Sequence, residues 1–275
     1  MDRNRKTLKK FFIITSNKED YFDAAKLIKR ESTKYHFPTK IVKLDPSKKW
    51  TLPNQTTETK VVVFLLTNDK KIIKDVVRLR RRFGNLEIIN LSYLKSFTTK
   101  KETQERLSKG GIITPKIFAL DRALGLKNKF KYPIFIKSNF HCTAVLIINN
   151  KQSLTNFLQS KLLTNNSDWY VEENLRSQEN ILEDIYFVNG EIFGTKRTRA
   201  SEQLNKAAKK ISTLLEIDVF SAGFFVKSNS NQYWCFDINP APAMFRSIFA
   251  RQALVKFTNK LLVDNFDNPS NHITH

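Results

Sequence analysis

The chain has 275 residues, 41% of them hydrophobic and 12% aromatic, enough apolar material for one large or several small cores and too much for a disordered chain. A formal net charge of +21 favours polyanionic partners, because a summed positive potential concentrates phosphates and acidic groups at the surface. Two cysteines, Cys142 and Cys235, exclude a disulfide framework and a cysteine metal centre, and no apolar run reaches the length of a transmembrane helix.

In chain order, the basic stretch 1–10 leads into Phe11-Phe-Ile-Ile14, a run too short for a signal peptide. It reads as a strand over 11–15. A helix over 21–34, strands over 39–44 and 61–66, a helix over 70–83 and a strand over 86–90 follow, an alternation that predicts a small parallel α/β layer. This is the first expected domain, residues 1–95.

The second expected domain, residues 96–175, opens on a polar helix start at Thr98-Thr-Lys-Lys-Glu that Gly110-Gly111 ends. The expected elements are then a short strand at 112–115, strands over 134–137 and 143–148, a helix over 153–163 and a strand over 169–173. The third, residues 176–275, has a strand over 184–189, a hairpin turn at Asn189-Gly190 and a strand over 191–196. After them come a helix over 202–215, paired strands over 223–227 and 233–238, and an amphipathic helix over 247–265. Cys142 and Cys235 fall in apolar strands and read as buried thiols in a reducing, cytoplasmic setting.

The positive charge is spread along the chain, as at Lys9-Lys10, Lys48-Lys49, Lys70-Lys71, Lys100-Lys101 and Lys209-Lys210, which fits a solvated basic surface. Its densest cluster, Arg78-Leu-Arg-Arg-Arg82, lies on a helix. A footprint for nucleic acid or an acidic protein is the alternative there, and the less favoured one.

The most informative stretch is Tyr233-Trp-Cys-Phe-Asp-Ile-Asn-Pro-Ala-Pro242. Asp237 and Asn239 stand two apart on a strand, so alternation points both to one face, where oxygen ligands suit Mg²⁺; a capped turn is the plainer reading of the same triplet.

Asp237-Ile-Asn239-Pro-Ala-Pro242 resembles the "Glu/Asp-x-Asn-x-x-Pro-Gly" signature of the ATP-grasp superfamily. Three further segments are similar to that family in order and spacing, from about residue 90 to about residue 246. Thr99-Lys100 through Gly111-Ile112 to Pro115 resembles its segment with a phosphate-approaching Lys. Tyr132-Pro-Ile-Phe-Ile-Lys137 resembles the strand that supplies a second ATP-contacting Lys. Trp169-Tyr-Val-Glu-Glu-Asn-Leu175 resembles the hinge whose backbone meets adenine. Within the superfamily the sequence looks nearest to the glutathione synthetase and ribosomal-protein glutamate ligase branch.

The resemblance implies an α/β fold of mixed α+β character, an ATP-grasp body preceded by a small parallel α/β domain. It implies ATP and Mg²⁺ as cofactors. Lys100 and Lys137 would contact the phosphates, Glu172, Glu173 and Leu175 would form the adenine hinge, Glu183 would hold the ribose hydroxyls, and Asp237 and Asn239 would bind the metal. Arg246 would hold an anionic substrate. For each lysine the plain alternative is a surface cation, for Glu183 a solvated strand-edge acid, and for Arg246 a helix-start residue.

Three departures stand beside the matches. Where the family has "Gly-Val-Asp", this chain has Gly223-Phe-Phe225, so one metal ligand is replaced by Phe225. The flap after Lys137 reads Ser138-Asn-Phe-His-Cys-Thr-Ala144, without glycine. An Arg common two residues after the ribose acid is here Ile185.

The leading expectation is an ATP-dependent carboxylate-amine ligase acting through an acylphosphate on a small-molecule or peptide carboxylate, with no membrane partner and with a homo-oligomer admitted. One alternative is a catalytically impaired ATP-grasp protein that binds nucleotide. Another is an inositol polyphosphate kinase-like phosphotransferase, for which His141 in the short loop and Lys196, Arg197, Arg199 and Arg246 are the relevant residues. A nucleic-acid binder is the last.

Overall fold

A computed structural model describes residues 10–16, 19–45, 61–67, 69–80, 83–96, 99–139, 145–159, 169–176, 179–194, 202–228, 230, 232–242 and 248–266. Arg246, His141, Cys142, Lys196, Arg197, Arg199, Arg81 and Arg82 lie outside them. The chain groups into two compact units. One takes residues 1–96, 184–221 and 239–275, the other residues 97–183 and 222–238.

The first unit begins with β1 (Lys10–Thr15), α1 (Glu19–Lys34), β2 (Thr39–Lys43), β3 (Val61–Leu66), α2 (Lys70–Arg80), β4 (Leu86–Ile88) and α3 (Leu91–Ser96). The four strands form a parallel sheet in the order β2-β1-β3-β4, with Ile13 opposite Ile41 on one side and Phe64 on the other. All six residues of β3 are buried, as expected of a central parallel strand covered on both faces. β4 is three residues long where five were expected.

The second unit contains α4 (Lys100–Lys109), β5 (Ile117–Ala119), α5 (Leu120–Leu126), β6 (Ile134–Ser138), β7 (Leu146–Ile148), α6 (Lys151–Gln159) and β8 (Trp169–Glu173). Its sheet has the order β5-β8-β6-β7, and its pairings are antiparallel. The core on one face gathers Leu120, Ala123, Ile134, Ile136, Ile148, Leu154 and Val171, with α5 and α6 supplying Leu120, Ala123 and Leu154. Because side chains alternate along a strand, Phe135 and Lys137 on β6, and Tyr170 and Glu172 on β8, point to the opposite face. That alternation positions the site. The strand expected at 112–115 is not formed as a ladder; the Ile113 carbonyl accepts from the Cys235 N–H at 2.8 Å, and regular strand pairing begins at β5, after Pro115, which has no N–H to donate.

The remaining elements are β9 (Asn180–Val188), β10 (Glu191–Gly194), α7 (Glu202–Leu215), β11 (Val219–Lys227), β12 (Tyr233–Asn239) and α8 (Ile248–Phe266). The strands form a third sheet in the order β10-β9-β11-β12, and the unit boundaries fall within β9, β11 and β12. Asn189 and Gly190, both at positive φ (43° and 93°), make the hairpin turn between β9 and β10 that their sequence predicts. In the first unit, α8 presents Ala253, Leu254, Phe257, Leu261 and Leu262 to a core shared with Phe11, Ile13, Val62 and Phe64. Among the described residues no helix is long and apolar enough to cross a membrane.

Candidate functional site

The second unit brings Lys100, Lys137, Glu172 and Asp237 together from four elements. Lys100 opens α4, whose start is fixed by a reciprocal cap: the Thr99 hydroxyl accepts from the Glu102 N–H at 3.2 Å, and the Glu102 carboxylate accepts from the Thr99 N–H at 2.7 Å. The Lys100 N–H also donates to the Asn139 carbonyl at 3.2 Å, tying this helix start to the end of β6. From there the Lys100 ammonium reaches the Asp237 carboxylate of β12 at 2.9 Å.

Lys137 donates to the Glu172 carboxylate of the neighbouring strand. In the β6–β8 register Phe135 stands opposite Glu172 and Lys137 opposite Tyr170, so the bond runs diagonally along one sheet face. The ammonium also lies over two rings, 5.5 Å from the centroid of Phe236 and 5.8 Å from that of Phe135. Arg176 lies over the Phe135 ring at 5.3 Å.

Glu172 is 1% exposed, and burial raises its pKa against the opposing pull of Lys137. Asp237 pushes it further up, while Lys100 pulls it down, so the four charges act as one set. The Glu172 Oε2 atom is buried with no hydrogen-bond partner among the described residues. A buried acceptor left without a donor is costly unless a ligand supplies one. This fits a nucleotide whose base offers an amino group.

A divalent cation fits less well. Asp237 already receives the Lys100 ammonium. Phe225 packs its ring on Phe236 with centroids 4.6 Å apart, and Gly223 leaves space for that second ring, since a Cβ there would lie 2.5 Å from the Phe236 Cζ. The Asn239 side-chain oxygen accepts from the Ala241 N–H at 3.0 Å, the capped-turn alternative for this triplet. Among the described residues no group of three or more His, Cys, Asp or Glu gathers to hold a metal. The donor set therefore does not fit Mg²⁺.

Of the other sequence-derived site residues, Glu173 ends β8, Leu175 follows it and Glu183 lies on β9. Glu173 points away from Glu172 by alternation, and its carboxylate accepts from the Lys116 N–H at 3.3 Å. The Leu175 carbonyl accepts from the Asn180 side chain at 2.6 Å. Glu183 is 4% exposed within β9, which excludes the solvated-edge alternative. Sequence reasoning passed over Phe135 and Phe236, although Phe135 stands two residues before Lys137 and alternation alone puts it beside that lysine. Cys235 is buried, as expected, and burial pushes its thiol up, with Asp237 adding to the shift.

No family model matches the sequence, and no curated protein does. Solved structures do. A RimK domain ATP-grasp protein of Sphaerobacter thermophilus is 11% identical, over 92% of this chain and 99% of that one, with a TM-score of 0.68. D-alanyl-alanine synthetase A of Vibrio cholerae is 10% identical, over 94% and 98%, with a TM-score of 0.67. The ATP-grasp ligase PsnB, solved with a minimal precursor, Mg and ADP, is 12% identical, over 90% and 98%, with a TM-score of 0.59. The chain has the ATP-grasp fold. The two nearly equal scores of the RimK-type protein and the alanine ligase do not separate the glutathione synthetase and RimK-like branch from the others.

Proposed function

We propose that this chain binds ATP on the Lys137 and Glu172 face of its second unit and uses it as a carboxylate-amine ligase. The observation that carries the reading is the meeting of two lysines from α4 and β6 with a buried, half-satisfied glutamate from β8, in a fold shared with ATP-dependent ligases. Lys100 and Lys137 supply compact cationic donors for phosphate oxygens. Glu172 accepts from the amino group of the base, Glu173 and Leu175 belong to the hinge beside it, and Glu183 takes the ribose hydroxyls.

In the reaction, a substrate carboxylate oxygen attacks the γ-phosphorus, the bond to the β-phosphate oxygen breaks, and ADP leaves with that electron pair. An amine nitrogen then attacks the acyl carbon of the acylphosphate, phosphate departs, and the nitrogen loses a proton to solvent. Positioning and charge neutralisation supply the catalysis, and Arg246 holds an anionic substrate. The acid is a small molecule or a peptide.

A second reading, nucleotide binding without turnover, is favoured by one specific observation: Phe225 fills with a packed ring the position where the family signature has a carboxylate. The test is calorimetric titration with a non-hydrolysable ATP analogue, followed by a screen of acids and amines for ADP and phosphate release. Turnover with any pair supports the ligase. Binding without release from any pair selects the second reading, and failure to bind the analogue removes both.

A further inference from the structure

We propose that the nucleotide site works without a divalent cation, the Lys100 ammonium serving as the positive charge that links Asp237 to the phosphates. This rests on the ATP reading above and goes beyond it.

The Lys100 ammonium donates to the Asp237 carboxylate at 2.9 Å. The side chains of Lys100 and Asp237 keep 24% and 37% exposure, so the pair is partly open to a ligand. A phosphate oxygen placed beside Lys100 meets the same ammonium that neutralises the carboxylate, which is the arrangement a bridging metal would otherwise supply. Mg²⁺ demands near-octahedral oxygen ligation and is slow to shed its waters. Rings stand where the family signature places its further carboxylate: Phe225 against Phe236, with Gly223 making room, and Lys137 held over Phe236 and Phe135, while the Glu172 carboxylate is bonded to Lys137. Ring carbons do not ligate Mg²⁺. The lysines, by contrast, carry the positive charge that phosphate oxygens require.

The two kinds of site respond oppositely to chelation. A metal-bridged site takes the magnesium complex of ATP and loses it in EDTA. A site whose cations are ammonium groups favours the more highly charged free nucleotide, so EDTA leaves the affinity unchanged or raises it.

The experiment is calorimetric titration of the full chain with a non-hydrolysable ATP analogue, in excess Mg²⁺ and in excess EDTA, for the native chain and for Lys100→Met. The expected result is binding by the native chain that is at least as tight in EDTA, and a loss of about tenfold or more in Lys100→Met under EDTA. A native affinity that falls by about tenfold or more in EDTA overturns the proposal while leaving the ATP reading intact. Unchanged EDTA affinity in Lys100→Met overturns it as well. No binding under either condition removes the ATP reading and this proposal with it.

Discussion

The Lys137 ammonium and the Glu172 carboxylate are bonded across the β6–β8 pair, and the glutamate is the more deeply buried of the two, at 1% against 14% side-chain exposure. Each therefore limits what can be done to the other. Replacing Lys137 by Met leaves a buried carboxylate without its cation, a change that costs about 3 kcal/mol or more. On the proposed ATP reading it also removes a charge-assisted donor from the nucleotide and should weaken binding by roughly ten- to a hundredfold. The two effects separate in the double variant Lys137→Met/Glu172→Leu, which should recover most of the stability in a denaturant titration and none of the affinity in calorimetry.

Burial raises the Glu172 pKa in the folded chain, and the sign of its effect on stability follows. Between the ordinary glutamate range and the raised value, the folded state binds more protons than the unfolded one, so stability falls as pH rises through that window. Glu172→Gln cannot titrate. The stability of the variant relative to the native chain should therefore increase with pH above the ordinary glutamate range, measured as the difference in Tm across a pH series. A difference that shrinks with rising pH would show that Lys137 outweighs burial.

Gly223 lies against the far end of the Phe236 ring, where an added Cβ would approach Cζ to 2.5 Å and Cε1 to 2.9 Å. Gly223→Ala must push the ring away, and it costs about 1–3 kcal/mol as an overpacking substitution. Phe236 also carries the Lys137 ammonium on its face, so the displacement should weaken nucleotide binding as well as lower Tm. Adding Phe236→Leu to the same chain should restore Tm without restoring affinity. Equal stability of Gly223→Ala and the native chain would place the ring elsewhere.

Much of this was legible in sequence because the signals were local. The alternation of strands and helices before residue 90, the helix over 202–215 and the Asn189-Gly190 turn all follow from residues a few positions apart. Lys137 stood out because it ends an apolar strand. The short elements α3, β5 and α5 were missed, since six, three and seven residues hold too few apolar positions to show a period. The pairing of Lys100 with Asp237 spans 137 positions, and no local pattern predicts it. Glu172 and Glu173 were both assigned to the hinge, although alternation on β8 lets only one face Lys137.

Asn90 holds the first unit together in a way that only the three-dimensional arrangement reveals. Its side-chain oxygen accepts from the N–H groups of Asp218 and Val219 at 3.1 and 2.9 Å, and its amide donates to the Val219 carbonyl. Its own carbonyl accepts from Leu94 at 2.9 Å, in the first turn of α3. The residue sits at φ 61°, a left-handed conformation that Asn tolerates better than most side chains. Asn90→Ala removes all three side-chain bonds at a site only 7% exposed, at a cost of about 3 kcal/mol if each contributes ~1. Asn90→Gly removes the same bonds but relieves the left-handed strain, so it should be about 1 kcal/mol less damaging. Urea titrations of the two variants should show both midpoints lowered, with glycine above alanine. The reverse order would mean that the backbone at residue 90 carries no strain for glycine to relieve.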